Sequence, residues 1–137
     1  MSIVYTEITL KNAFDVEVEA SGLAKDHKIR ETTVKAVVDT GAWTLVINEE
    51  VRQLLGLRKL TSKTGTLADG SKIDYYLTSP LQVNWKNRST TCEALVLPNA
   101  GNILLGAIPL EAMDLMVHPR KEELVGAHGD EEVHLVL

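Results

Sequence analysis

The chain has 137 residues, 45% of them hydrophobic, and a formal net charge of −5 at pH 7. That is enough apolar material for one modest core and too little for two, so a single domain over residues 1–137 is expected. The acidic balance, with no run of Lys and Arg longer than two residues, excludes the basic footprint of a nucleic-acid partner.

Ile3 to Leu10 is rich in β-branched residues and predicts a strand. Asp15 to Ala20 alternates polar with apolar until Ser21-Gly22 breaks the pattern, and residues 11–30 fit either a long hairpin or a partly helical segment. Lys25-Asp26-His27-Lys28 reads as a solvated loop. Thr32 to Val38 is the next strand, and its end, Val37-Val38, loses alternation as a strand entering a buried centre does. Asp39-Thr40-Gly41-Ala42 stands where that strand stops. Trp43 to Ile47 resumes extended structure, and Asn48 then supplies a helix N-cap ahead of Glu49 and Glu50. Val51, Leu54 and Leu55 recur at helical spacing, and Gly56 is placed to end a short amphipathic helix.

Thr61 to Leu67 and Ser71 to Thr78 predict a hairpin tipped at Asp69-Gly70, a strong turn signal. Leu81 to Trp85 and Ser89 to Leu97 predict a second hairpin around the polar turn Lys86-Asn87-Arg88, closed by Pro98-Asn99-Ala100-Gly101. Ile103 to Leu105 reads as a buried strand ending at Gly106. Pro109 suits the start of a helix over Leu110 to Met113. Asp114 to His118 returns to a strand that stops at Pro119. The tail holds Glu123-Leu124-Val125 and Val133 to Leu137, whose odd positions are apolar and would leave an exposed edge unless another chain covered it.

The most informative feature is Asp39-Thr40-Gly41, an aspartate turn delivered by a β-branched strand and present once. Together with the glycine-tipped hairpin and Leu104-Leu105-Gly106 before a short helix, it resembles the retropepsin-like aspartic proteases, a retroviral-type fold that also occurs in bacteria and archaea. The resemblance runs from about Thr32 to Pro119. It implies an all-β acid-protease barrel with one or two short helices, a flap hairpin and a homodimer. It also implies an endopeptidase acting on an extended peptide, with no cofactor and no metal.

Within that resemblance each residue has an implied part. Water is the nucleophile, so a base must take its proton and an acid must protonate the carbonyl oxygen. Two carboxylates about 3 Å apart cannot both ionise, and a pair sharing one proton does both jobs. A chain that supplies one must borrow the second from an identical partner. Asp39 is the catalytic candidate, with Thr40 bonding across the dimer axis and Gly41 letting backbone N–H groups approach the carboxylate. Ala42, Trp43 and Leu104 are implied to border the substrate, and Leu67, Ala68, Asp69 and Gly70 to close over it. Two positions depart from the retroviral pattern: Trp43 replaces an acidic residue, and Ala107 replaces the arginine after the second glycine.

Plainer readings stand beside these. Asp39-Thr40-Gly41 is also an ordinary strand-ending turn, Asp69-Gly70 an ordinary hairpin tip, and Trp43 a partly buried core aromatic. Leu104 and Leu105 are core residues first. Cys92, alone in the chain, fits packing and a reducing compartment. His27, His118, His128 and His134 show no zinc spacing, and Asp130-Glu131-Glu132 reads as a solvated acidic stretch. With no basic n-region or long apolar run, a cytoplasmic location is expected. The competing function is a catalytically silent retropepsin-fold module for dimerisation or peptide binding; a β-domain unrelated to proteases is the third reading.

Overall fold

A computed structural model of the chain describes residues 3–129. The elements in chain order are β1 (Tyr5–Asn12), α1 (Ala13–Ser21), β2 (Glu31–Val38), β3 (Leu45–Ile47), α2 (Glu49–Leu55), β4 (Lys59–Thr66) and β5 (Lys72–Thr78). Then follow β6 (Leu81–Trp85), β7 (Arg88–Cys92), β8 (Ala94–Val96), β9 (Ile103–Leu105), α3 (Ala107–Ala112), β10 (Leu115–His118) and β11 (Glu123–Gly126). The protein is mostly β. Its described residues hold three short helices rather than the expected one or two.

Among the described residues nine strands form one sheet in the order β4-β5-β8-β3-β9-β2-β1-β6-β7, and β10 pairs with β11 in a second. The strands that read as buried behave so: Leu10, Leu45, Ile47, Leu81, Val83 and Leu105 are all inaccessible to solvent. Their alternation in β1 and β6 turns one face of each strand inward, and β1 is clamped between β2 and β6 by antiparallel ladders.

Helix α2 forms as its sequence predicts. The Asn48 side chain accepts the Val51 N–H at 2.9 Å, two acids occupy the first turn, and Gly56 ends it. Val51 and Leu55 face the core, but Leu54 is 57% exposed, so the apolar stripe is narrower than its spacing suggests.

Of the two readings of residues 11–30, the partly helical one holds: residues 13–21 form α1, where Asn12 accepts the Asp15 N–H at 3.2 Å and Gly22, at φ 69°, closes the last turn. Three other expectations change. The run Ser89 to Leu97 is not one strand but two, because β7 pairs with β6 while β8 crosses to lie between β5 and β3. Arg88 is not a turn residue; it opens β7, is 4% exposed, and its guanidinium donates to the carbonyls of Met113 (2.8 Å) and Asp114 (2.7 Å). Helix α3 starts at Ala107, before Pro109, which still lies in the first turn where its missing N–H costs nothing. Val133 to Leu137 lies outside the described residues.

What fixes α1 is a buried acid. Asp15 is fully buried, and its carboxylate accepts from the Arg30 backbone N–H (2.9 Å), Arg30 Nε (2.8 Å) and Arg30 Nη2 (2.9 Å), with His27 Nε2 at 2.8 Å. The segment 22–30, within which residues 25–28 read as a solvated loop, is thereby tied to the helix through His27 and Arg30. Bonds from Arg30 outweigh burial and hold the Asp15 carboxyl far below the usual carboxylate range. A carboxyl depressed in the folded state contributes stability above its unfolded pKa, about 3.9, and loses it as pH falls toward the folded value. Asp15→Asn is therefore expected to cost about 2–3 kcal/mol at pH 7, the lower end for a broken buried pair because the Arg30 side chain is half exposed and can re-solvate. Urea unfolding of both proteins at pH 7 and pH 3 checks this: the gap must shrink at the lower pH.

Candidate active site

The centre of the sheet brings three short strands together. β9 runs parallel to β2, with Ala36, Val37 and Val38 facing Ile103, Leu104 and Leu105, and Val46 of β3 meets Leu104 from the other side. Such close packing suits small or β-branched residues, and Ala36 and Leu105 are fully buried in it. The chain leaves β2 at Asp39, whose backbone N–H donates to Leu105 O at 3.0 Å, which extends the β2–β9 ladder by one more bond.

A tight loop follows. Ala42 N–H donates back to Asp39 O (3.1 Å), Ala107 N–H to Ala42 O (2.8 Å) and Ile108 N–H to Trp43 O (3.1 Å). The loop 39–43 is thus pinned both to the end of β2 and to the first turn of α3. Gly106 sits in the crossing: a Cβ there would lie 2.2 Å from Thr44 O and 2.6 Å from Ala42 O, so no side chain fits.

The Asp39 carboxylate is held by one bond, the Gly41 N–H to Oδ1 at 2.9 Å. A Cβ on Gly41 would stand 3.2 Å from that oxygen, which agrees with the need for glycine. Among the described residues no other hydrogen bond reaches the carboxylate, and Oδ2 is open. Asp39 is half-buried while Thr40 and Gly41 are exposed. The acid is accordingly an oriented surface group and not a structural acceptor sunk in the core. Ala42 and Leu104 are half-buried, and Trp43 is 54% exposed, which removes the reading of Trp43 as a core aromatic.

The second group of candidate residues lies on the β4–β5 hairpin. Its tip is closed by Leu67 N–H to Ser71 O (2.8 Å), Gly70 N–H to Leu67 O (2.9 Å) and Ser71 N–H to Asp69 Oδ1 (2.8 Å). The bonds from Ser71 hold the Asp69 carboxyl below its ordinary value. Leu67, Ala68, Asp69 and Gly70 are all exposed. So is nearly every residue of β4, on both faces, so the hairpin projects from the core. β5 stands four strand spacings from β2, roughly 19 Å along the sheet. Among the described residues no hydrogen bond joins the tip to the Asp39 loop. The first cluster, residues 39–43 with Leu104, is brought together; the hairpin tip is a separate arm.

One anchor of that arm has no counterpart in the sequence reading. The Tyr76 hydroxyl of β5 donates to Glu49 at the start of α2, and Arg52 grips the same carboxylate through Nε at 2.8 Å. Arg52 and Tyr76 together outweigh burial and lower the Glu49 carboxyl to about 2; burial and that bond push the Tyr76 phenol up to about 12. Lys59 Nζ lies 4.7 Å from the centre of the Tyr76 ring. Glu49 shows only as a first-turn helix acid in the sequence, because nothing local ties it to a tyrosine 27 positions on.

Burial pushes the Cys92 thiol up to about 11, which keeps it neutral and suits a packing role. Among the described residues no three of His, Cys, Asp and Glu gather as metal ligands, and no helix is long and apolar enough to cross a membrane. His134 and Asp130 to Glu132 lie outside the described residues.

Comparison with known proteins adds the remaining findings. A protein-family profile described as "gag-polyprotein putative aspartyl protease" matches residues 26–133. No curated protein matches the chain. Among solved structures it is similar to EIAV protease complexed with the inhibitor HBY-793, at 18% identity and a TM-score of 0.48, over 77% of this chain and 82% of that one.

Proposed function

This chain belongs to the gag-polyprotein aspartyl protease family, the retropepsin-like type, and on that premise we propose that it is an aspartic endopeptidase whose active site is completed by a second copy of itself. The observation that carries the reading is the Asp39 carboxylate. It is oriented by Gly41, open at Oδ2, and displayed on an exposed turn that occurs once in the chain.

Two such turns facing one another across a two-fold axis make a self-complementary contact. Water held between the carboxylates gives a proton to the ionised one and attacks the peptide carbon, while the protonated one gives its proton to the carbonyl oxygen. Collapse of the tetrahedral species breaks the C–N bond as the nitrogen takes the proton from the first carboxyl and a hydroxyl of the diol returns its proton to the second, which releases the acid and restores the singly protonated pair. Assigning base and acid to one copy or the other is arbitrary in a symmetric pair. Thr40, exposed beside the acid, bonds across the axis. Ala42 leaves room for the peptide backbone, and Trp43 and Leu104 supply apolar walls. Leu67, Ala68, Asp69 and Gly70 descend over the peptide, adding main-chain hydrogen bonds and excluding water.

The test is a peptide-library digestion repeated over falling protein concentration. Cleavage whose rate per mole of chain drops as the protein is diluted below its dimer dissociation constant supports the proposal. Cleavage independent of dilution removes the shared site, and no cleavage in any library supports the silent binding module.

The Tyr76–Glu49 contact gives the arm a firm base. Tyr76→Phe is expected to lower stability by about 1.5–3 kcal/mol, the range for a hydrogen bond to a charged group, and to speed amide exchange along β4 and β5 ahead of β2 and β9. Hydrogen exchange read by mass spectrometry checks both the size and the place of the effect.

A further inference from the structure

A cleft of about 750 Å³ opens at the end of the molecule remote from Asp39. Arg30 lines it and immediately precedes β2, whereas Asp39 immediately follows it, so roughly 30 Å of strand separates the two at about 3.3 Å per residue. Ala13, Phe14 and Val16 of α1 form one wall, and Pro80 stands in another. The size falls within the range of small-molecule sites. Phe14 is 67% exposed at the cleft, a ring left in water where burial would be favourable.

The lining of the cleft carries charge of both signs. The chain carries −5, yet two guanidinium groups, Arg30 and Arg58, line this space. Arg30 is committed to Asp15 through Nε and Nη2. Arg58 is exposed; its backbone N–H donates to Ser79 Oγ at 3.0 Å, but among the described residues its guanidinium has no hydrogen bond and no ion pair. Glu17 also lines the cleft, one helical turn beyond Phe14 on the same face of α1.

We propose that this cleft binds a small amphipathic molecule with an apolar body and a single carboxylate, the body lying along Phe14, Val16 and Pro80 and the carboxylate meeting Arg58. A planar guanidinium matches a carboxylate with two parallel hydrogen bonds, which a lone charged lysine would not. Among the described residues of the lining, Arg58 is the cation without a partner, and Glu17 nearby repels added negative charge, so one carboxylate on Arg58 is tolerated while phosphates and other multiply charged groups are disfavoured. The site is separate from the protease reading, and neither stands or falls with the other.

The full chain labelled with nitrogen-15 is titrated with decanoate, decan-1-ol and inorganic phosphate below micellar concentrations. Saturable shifts at residues 13–17 and 79–82 with decanoate are expected, with decan-1-ol about tenfold weaker and phosphate without effect. Arg58→Gln, an exposed substitution, should weaken decanoate about tenfold and leave decan-1-ol unchanged, while Phe14→Ala weakens both. Absence of saturable binding, shifts centred on the Asp39 loop, equal binding of phosphate, or unchanged decanoate affinity in Arg58→Gln would each overturn the assignment.

Discussion

Asp39→Asn is expected to lower peptide cleavage by at least about 10³-fold, the scale of losing a group that serves as both base and acid, while the unfolding midpoint and the mass of the dimer stay as they are. Asparagine has the same shape, and its Oδ1 can still accept the Gly41 N–H, so the turn keeps its form. What disappears is a carboxyl that can exchange a proton. If, as proposed, each site takes one acid from each copy, the loss should also spread in mixtures. With a fourfold excess of the variant and free exchange of subunits, wild-type activity should fall to about one fifth by random pairing in a two-fold dimer. Activity that simply persists in proportion to the wild-type chain would mean that one chain suffices, and the shared site would be wrong.

Gly106→Ala is the largest expected effect on stability. A methyl group there meets two backbone oxygens, at 2.2 Å from Thr44 O and 2.6 Å from Ala42 O, and neither can rotate away as a flexible side chain would. Ala42 O already accepts the Ala107 N–H, so relief breaks that bond and shifts the loop bearing Asp39. A cost of about 3 kcal/mol or more is expected, with cleavage lost even at temperatures where the chain stays folded. Gly101→Ala is the control: a Cβ there meets nothing within 4 Å, and its effect should stay within about 0.5 kcal/mol. Thermal unfolding of the two variants side by side decides the matter. Equal midpoints would mean that the crossing of the Asp39 loop and Gly106 is looser than its geometry implies.

What could be read without coordinates was what is local. Asn48, two acids and Gly56 specify α2 within nine residues, and Asp69-Gly70 specifies a hairpin within two. The Asp39 turn is legible for the same reason: strand, acid and glycine are adjacent. What stayed open or was misread mostly involves distant partners. Alternation at residues 15–20 fits a strand as well as a short helix, and what decides is Arg30, which makes the burial of Asp15 tolerable. The Asn12 cap and Gly22 could have tipped that reading, since both are helix signals. Arg88 looks like turn filler because the carbonyls that take its guanidinium, those of Met113 and Asp114, are contributed by a segment 25 residues later. Likewise, the cradle around Gly106 leaves no trace in sequence beyond the glycine itself.

The two rims of the large sheet carry a consequence for how copies of the chain meet. β4 at one rim presents Lys59, Lys63 and threonines with both faces wet, and β7 at the other reads Arg-Ser-Thr-Thr-Cys. Such borders resist edge-to-edge stacking, since lysine charge repels a like neighbour and hydroxyls offer it little dry surface. Among the described residues, neither rim is therefore a ready template for open-ended stacking into fibrils.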